Sequence, residues 1–227
     1  MSQSALPKLL AEIYACRRCP NVIASEVART IQDRWNAKLV LMAQAPSEHG
    51  VRTSGIHWVD SNGHLRPPGG TYLNGYLRQI GYSIDPEQSS LPRPYTTNVV
   101  QCWPGKRGKR DRPPTETETR ECRRWWAGEF ELLRPQAVLL LGRPAANALA
   151  AAAHLDKTFE SLLEAQGVQM TYPGGKAAVY TVPHPTAPYK GLGGGRSYYY
   201  DAAFTGLRKL FGASDAASRS TSSRRCT

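Results

Sequence analysis

The sequence predicts an α/β protein, a three-layer α/β/α sandwich around a central four-stranded, mainly parallel sheet. Three observations lead there. Four short apolar runs have strand character: 38–42, 95–102, 136–142 and 177–185. Between them lie segments whose apolar residues recur at helical spacing. Strands that alternate with helices build parallel sheets covered on both faces.

The elements follow in order. "ALPKLLAEIYAC" sets Leu6, Leu9, Leu10 and Ile13 on one helical face. "KLVLMAQAPSEHG" is a buried strand that empties into a polar loop carrying Gln44, Glu48 and His49. The carboxyl end of such a strand is where open α/β sheets place their ligand chemistry. From Ser47 to Gly70 the composition is loop-like, with Gly50, Gly55, Gly63, Pro67 and Pro68. "TYLNGYLRQIGY" then gives a helix through Leu73, Tyr76, Leu77 and Ile80, stopped at Gly81. "YTTNVVQC" is the second strand. Thr115 and Glu118 form a capping-box pattern that opens a helix running to about Leu133. "QAVLLLG" is the third strand, and Pro144 marks the next helix start. A helix over 157–166 ends at Gly167, and "AAVYTVPHP" is the fourth strand. The Gly-rich loop "KGLGGGR" leads to a last helix over 197–211. The tail "ASDAASRSTSSRRCT" is basic, Ser-rich and without periodicity, which predicts disorder. A single domain over 1–212 with a tail over 213–227 is the expected organisation.

At 227 residues one ordinary domain with a full core is expected. No apolar run approaches the ~20 residues of a membrane helix. The start "MSQSALPKLL" lacks a basic segment followed by an apolar one, so the expectation is a cytoplasmic protein without a secretory signal. The net charge of +11, from 29 basic against 18 acidic residues, suggests a polyanionic partner such as nucleic acid. Clustering in "GKRGKRDR", followed by Arg120, Arg123 and Arg124, favours phosphate contacts over a merely solubilising surface.

Four of the five cysteines fall into a pattern. Cys16 and Cys19 make "CRRC", Cys102 ends the second strand, and Cys122 lies in the helix "TRECRRWW". In an intracellular chain this spacing suggests a metal rather than disulfides. Zinc, an iron–sulfur cluster or two ordinary buried thiols all satisfy the spacing. Cys226 lies in the tail, outside the set.

Together these residues resemble the iron–sulfur uracil-DNA glycosylases, families 4 and 5 of that superfamily. Five segments carry the resemblance in order: "CRRC", "LVLMAQAPSEHGVRTSG", "YTTNVVQC", "EC" at Glu121–Cys122, and "TVPHPT". The resemblance implies that Cys16, Cys19, Cys102 and Cys122 hold a [4Fe–4S] cluster. It also implies a monomeric DNA-repair hydrolase, with DNA as partner, that flips uracil or a related deaminated base and cuts its N-glycosidic bond.

Site residues follow from the same match. Asn98 would read the base edge, since an amide carries both a donor and an acceptor. His184 in "PHPT" would stabilise negative charge on the leaving base. Trp58 would stack on the flipped base, with Ala45 and Pro46 as further substrate-binding positions. Lys106, Arg107, Lys109, Arg110, Lys190 and Arg196 would contact DNA, the first four beside the cluster ligand Cys102. The loop "TAPYKGLGGGRS" would meet the groove and fill the hole left by the base.

One segment departs from the family. Family 4 has Gly-Glu-Ala-Pro-Gly after the first strand, and this chain has Ala43-Gln44-Ala45-Pro46-Ser47. Gln44 can hydrogen-bond a water but cannot accept its proton. "SEHG" is similar to family 5, whose carboxylate comes later, and Asp60 in "HWVDSNGH" is the matching candidate; Glu48 is another. The departure admits a second reading, a catalytically impaired or altered-specificity member that binds DNA or a modified nucleotide.

Overall fold

The structure, a computed structural model, describes residues 5–19, 36–88, 90–172, 175–186 and 195–212. The tail and the segment carrying Lys190 therefore lie outside the described residues. In chain order the elements are α1 (Ala5–Ala15), β1 (Asn36–Ala43), α2 (Val51–Ser54), α3 (Gly69–Arg78), β2 (Pro94–Asn98), β3 (Lys106–Arg107), β4 (Arg110–Asp111) and α4 (Glu116–Leu133). They continue as β5 (Ala137–Leu141), α5 (Arg143–Ala152), α6 (Phe159–Glu164), β6 (Val168–Tyr172), β7 (Gly175–Val182) and α7 (Gly195–Phe211).

The main sheet runs β2-β1-β5-β7-β6. The β1–β2, β1–β5 and β5–β7 pairs are parallel, and β6 returns antiparallel to β7. The expected α/β architecture holds, but the sheet has five strands rather than four. The missing strand was β6. Of its five residues only Met170 is buried, so no apolar run marks it, and its pairing with β7 is what makes it a strand.

Alternation along the central strands divides the core. Val40 and Met42 of β1, with Val138 and Leu140 of β5, pack on one face against Trp126 and Phe130 of α4 and Leu149 of α5. Leu39, Leu41, Leu139 and Leu141 pack on the other against Leu73 and Leu77 of α3 and Phe204 and Leu207 of α7. Each strand is buried on both faces, which is why it reads as an unbroken apolar run.

Two sequence signals are realised locally. Thr115 accepts a hydrogen bond from the Glu118 N–H while the Glu118 carboxylate accepts from the Thr115 N–H, closing the capping box of α4. The same carboxylate takes both arms of Arg112, at 2.8 and 2.5 Å. The basic stretch forms a hairpin of β3 and β4 rather than an open loop.

Candidate active site

Parallel pairing brings the carboxyl ends of β1, β2, β5 and β7 to one edge of the sheet. Beyond β1 the chain stays pinned to the segment after β2, through Val99 N–H to the Ala43 carbonyl (2.9 Å) and Val100 N–H to that of Gln44 (3.1 Å). Beyond β5 comes Gly142, with φ +91°, whose N–H donates to the Val182 carbonyl at the end of β7. A Cβ there would stand 3.2 Å from the Cβ of His184, so the position requires both left-handed backbone and missing bulk.

A pocket of about 250 Å³ opens at this edge. Its walls are Ala43, Ala45, Ser47 and His49 from the first loop, and His57, Trp58 and Arg66 from the next segment. Pro67, Gly69 and Gly70 at the start of α3, Asp111 at the end of β4, and His184 and Thr186 after β7 complete it.

His184 is held by its own loop. Its Nδ1 accepts from the Thr186 N–H at 3.3 Å and lies 2.9 Å from the Thr186 hydroxyl. An Nδ1 occupied as acceptor leaves the proton of the neutral ring on Nε2. That nitrogen has no partner among the described residues. Burial pushes the His184 pKa down, which keeps the ring neutral. The arrangement can donate one N–H to an oxygen in the pocket.

Asn98, the last residue of β2, is 2% exposed. Its Nδ2 lies 3.1 Å from Nε2 of His57, and its Oδ1 is buried without a partner. It is not itself a wall of the pocket; His57 is. Burial lowers the His57 pKa to about 3, so this ring too is neutral. The backbone of Asn98 is fixed by Gln101, whose amide donates to the Asn98 carbonyl (3.1 Å) and to the Thr97 hydroxyl (2.8 Å). Thr97 in turn donates to Glu129 of α4, which also accepts from the Tyr95 hydroxyl at 2.9 Å. Burial raises the Glu129 pKa to about 7.

His57 and Trp58 open a short excursion, closed by the Val59–Leu65 bridge and by Arg66 N–H to the Trp58 carbonyl at 2.6 Å. Trp58 adopts φ +59° and lines the pocket, in contact with the His57 ring at 5.2 Å. Asp60 sits in the turn of this excursion. Its Oδ1 accepts from the N–H groups of Asn62 (2.8 Å) and His64 (3.0 Å), which hold its carboxyl below the usual carboxylate range. Asp60 is not among the residues that line the pocket, and neither is Gln44. Ala45 is a wall, and Pro46 is buried beside it.

The acidic residue among the walls is Asp111, and both its oxygens are engaged. One accepts from the Trp103 indole at 2.9 Å and the other from the Glu48 N–H at 3.2 Å. Glu48 forms an ion pair with Lys106 at 2.5 Å. These contacts dock the basic hairpin on the first loop, with Lys106, Arg107, Lys109 and Arg110 exposed at the rim. Arg196 is turned inward instead, donating to the Pro185 carbonyl and lying 4.1 Å over the Tyr72 ring.

Cys16, Cys19, Cys102 and Cys122 are free thiols. They lie near enough to perturb one another: burial and the neighbouring sulfurs push Cys102 up to about 11 and Cys122 up to about 12. Among the described residues no group of three or more His, Cys, Asp or Glu side chains could hold a metal ion.

His57, Asp111 and Thr186 were not singled out by the sequence. Thr186 stands inside "PHPT" and His57 precedes Trp58, so both were adjacent to a signal. Asp111 has no sequence signal: it reaches the pocket only because the hairpin folds back.

The fold and this strand-edge pocket define an α/β protein with two neutral histidines and an amide at a shared edge, rimmed by cations. The uracil DNA glycosylase superfamily model matches residues 31–192, and the chain belongs to that superfamily. It is similar to the type-4 uracil-DNA glycosylase of Archaeoglobus fulgidus, 25% identical over 185 residues, 81% of this chain and 82% of that protein. It is also similar to the type-5 uracil-DNA glycosylase of Pyrobaculum aerophilum, 30% identical over 151 residues, 59% of this chain and 64% of that protein.

Proposed function

We propose that this chain is a DNA glycosylase that removes uracil or a related deaminated base. The observation that carries the reading is His184, a neutral imidazole held through Nδ1 so that Nε2–H is the free donor. As the C1′–N1 bond breaks, its electron pair goes to the base, and the developing charge on a base oxygen is met by that N–H. Water adds its oxygen to C1′ and releases a proton to solvent, from which the base is later neutralised; the products are free base and an abasic site. Trp58 would stack on the flipped base, with Ala45 and Pro46 packing the same side of the pocket. Lys106, Arg107, Lys109 and Arg110 would meet phosphates, and Lys190 would join them.

Among the described residues that wall the pocket the acidic one is Asp111, whose two oxygens are both engaged, so water is activated weakly. We read Asp60 as shaping its turn, because its Oδ1 is occupied by two N–H groups away from the pocket walls. An oxocarbenium-like sugar captures a weakly activated water, so the reaction is slower rather than forbidden.

Cys16, Cys19, Cys102 and Cys122 fit a [4Fe–4S] cluster by donor chemistry: four free, mutually coupled thiols of which two are strongly desolvated. Four cysteine thiolates are the donor set that such a cluster takes. Bound there, the cluster would act structurally, joining α1 to the segment after β2 and to α4 within one domain over 1–212. Anaerobically purified protein should absorb broadly near 400 nm, and Cys102→Ser should abolish that band.

The test of the activity is a duplex and a single strand, each with one uracil, cleaved at the abasic site by alkali. Product from wild type and its loss in His184→Ala is the expected result. No product at enzyme excess sinks the glycosylase reading and leaves the altered-specificity member.

A further inference from the structure

The base-reading amide that the family match assigns is covered in this chain. Asn98 is 2% exposed, is absent from the pocket walls, and spends one end of its amide on His57. With Nδ2 donating, Nε2 of His57 is the acceptor and its Nδ1 carries the ring proton. Turning the amide over would leave the same count for Asn98, one end held by the imidazole and the other without a partner, but would move the ring proton to Nε2. The structure holds the first orientation, with Nδ2 toward the ring. In neither orientation does Asn98 offer the pocket the donor–acceptor pair that distinguishes uracil from cytosine.

His57 does face the pocket. Its Nδ1 has no partner among the described residues and is not among the buried polar atoms sealed from solvent. The ring is fixed by Asn98 on one side and by Trp58 on the other, at a residue with left-handed backbone. A rigid imidazole between amide and cavity meets an incoming base first.

We infer that His57 is the specificity-determining residue of this pocket: it covers Asn98 and reads the base itself through a single N–H. This rests on the glycosylase reading for the identity of the ligand. The ligand class is a base presenting a hydrogen-bond acceptor at its edge. One donor cannot separate uracil, whose O4 accepts, from cytosine, whose N3 accepts. It also takes the O6 edge of a deaminated purine.

The experiment compares binding of non-cleavable 2′-fluoro oligonucleotides that carry uracil or cytosine at one position. Proteins are wild type, His57→Ala, Asn98→Ala and the double variant. Wild type should prefer uracil less than ~3-fold, and Asn98→Ala should leave that ratio unchanged, since a single donor gives little discrimination. His57→Ala uncovers the amide and should raise the ratio to ~10-fold or more, a gain the double variant loses. An unchanged ratio in His57→Ala, or a wild-type ratio above ~10-fold that Asn98→Ala abolishes, overturns the inference, because Asn98 would then be read past His57. Should His57→Ala fail to fold, ring ¹⁵N shifts of wild type decide: His57 neutral with a free Nδ1–H, perturbed by the uracil oligonucleotide, is expected. No perturbation of that signal on binding rejects it. Cleavage is scored separately with unmodified uracil DNA. A shifted ratio without cleavage keeps His57 as reader and removes the glycosylase; cleavage with an unshifted ratio does the reverse.

Discussion

Of the three histidines that line the pocket, His184 and His57 are held in opposite senses. His184 follows β7, and its Nδ1 is taken by Thr186 two residues on, so its Nε2–H is left free. His57 stands in an excursion of the β1–α3 connection, and its Nε2 is taken by Asn98 across 41 residues of sequence. The first ring is set by local chain geometry, the second by tertiary packing. On the proposed reading, the difference separates a leaving-group donor, which must not move, from a reader, whose identity is free to vary with the excursion.

The comparison breaks most sharply at His184. His184→Ala should lower the single-turnover excision rate ~10²–10³-fold with DNA affinity nearly unchanged. A rate within a few-fold of wild type would mean that the two rings have been given each other's work.

Acid should separate the two next. Unfolded histidine takes a proton near pH 6.5, and folded His57 resists until about pH 3. Between those values the unfolded state binds more protons, so stability falls as pH drops below 6.5 and levels off below about 3. His57→Phe should flatten the urea midpoint between pH 6.5 and 4, by on the order of 2–3 kcal/mol relative to wild type. An unchanged slope would move the acid sensitivity to His184, whose shift has the same sign.

Glu129 runs the other way, beneath the strand that ends at Asn98. Its folded pKa of about 7 exceeds the unfolded 4.5, so the folded state holds the extra proton and stability falls as pH rises through that interval. Glu129→Gln removes the ionisable group while keeping one acceptor oxygen for the Tyr95 and Thr97 hydroxyls, and should gain about 1–2 kcal/mol above pH 7, read from denaturant midpoints. The smallest effect belongs to Asp60→Asn, whose amide oxygen still accepts from Asn62 and His64. Its rate and stability should stay within about 0.5 kcal/mol of wild type. A large fall in rate would return Asp60 to the chemistry.

Legibility followed the same division. β1, β2, β5 and β7 are buried on both faces and could be read from apolar runs, as could the α4 start from Thr115 and Glu118. β6 could not, because an edge strand with one buried residue carries no such run. His184, Asn98 and the cysteines were visible because they sit at strand ends or in short motifs. The Asp60 turn and the His57 cover were not, since each depends on contacts that only the folded excursion makes.

Gly142 closes the account of His184. Its backbone needs φ +91°, and the room for its missing side chain is already filled by the histidine. Mutational drift at this position is therefore blocked twice over, by backbone angle and by volume. An alanine would be felt as a displaced imidazole before it was felt as a weakened fold. The contact is made by the backbone and Cβ of residue 184, so exchanging the imidazole for another side chain does not free Gly142 to vary.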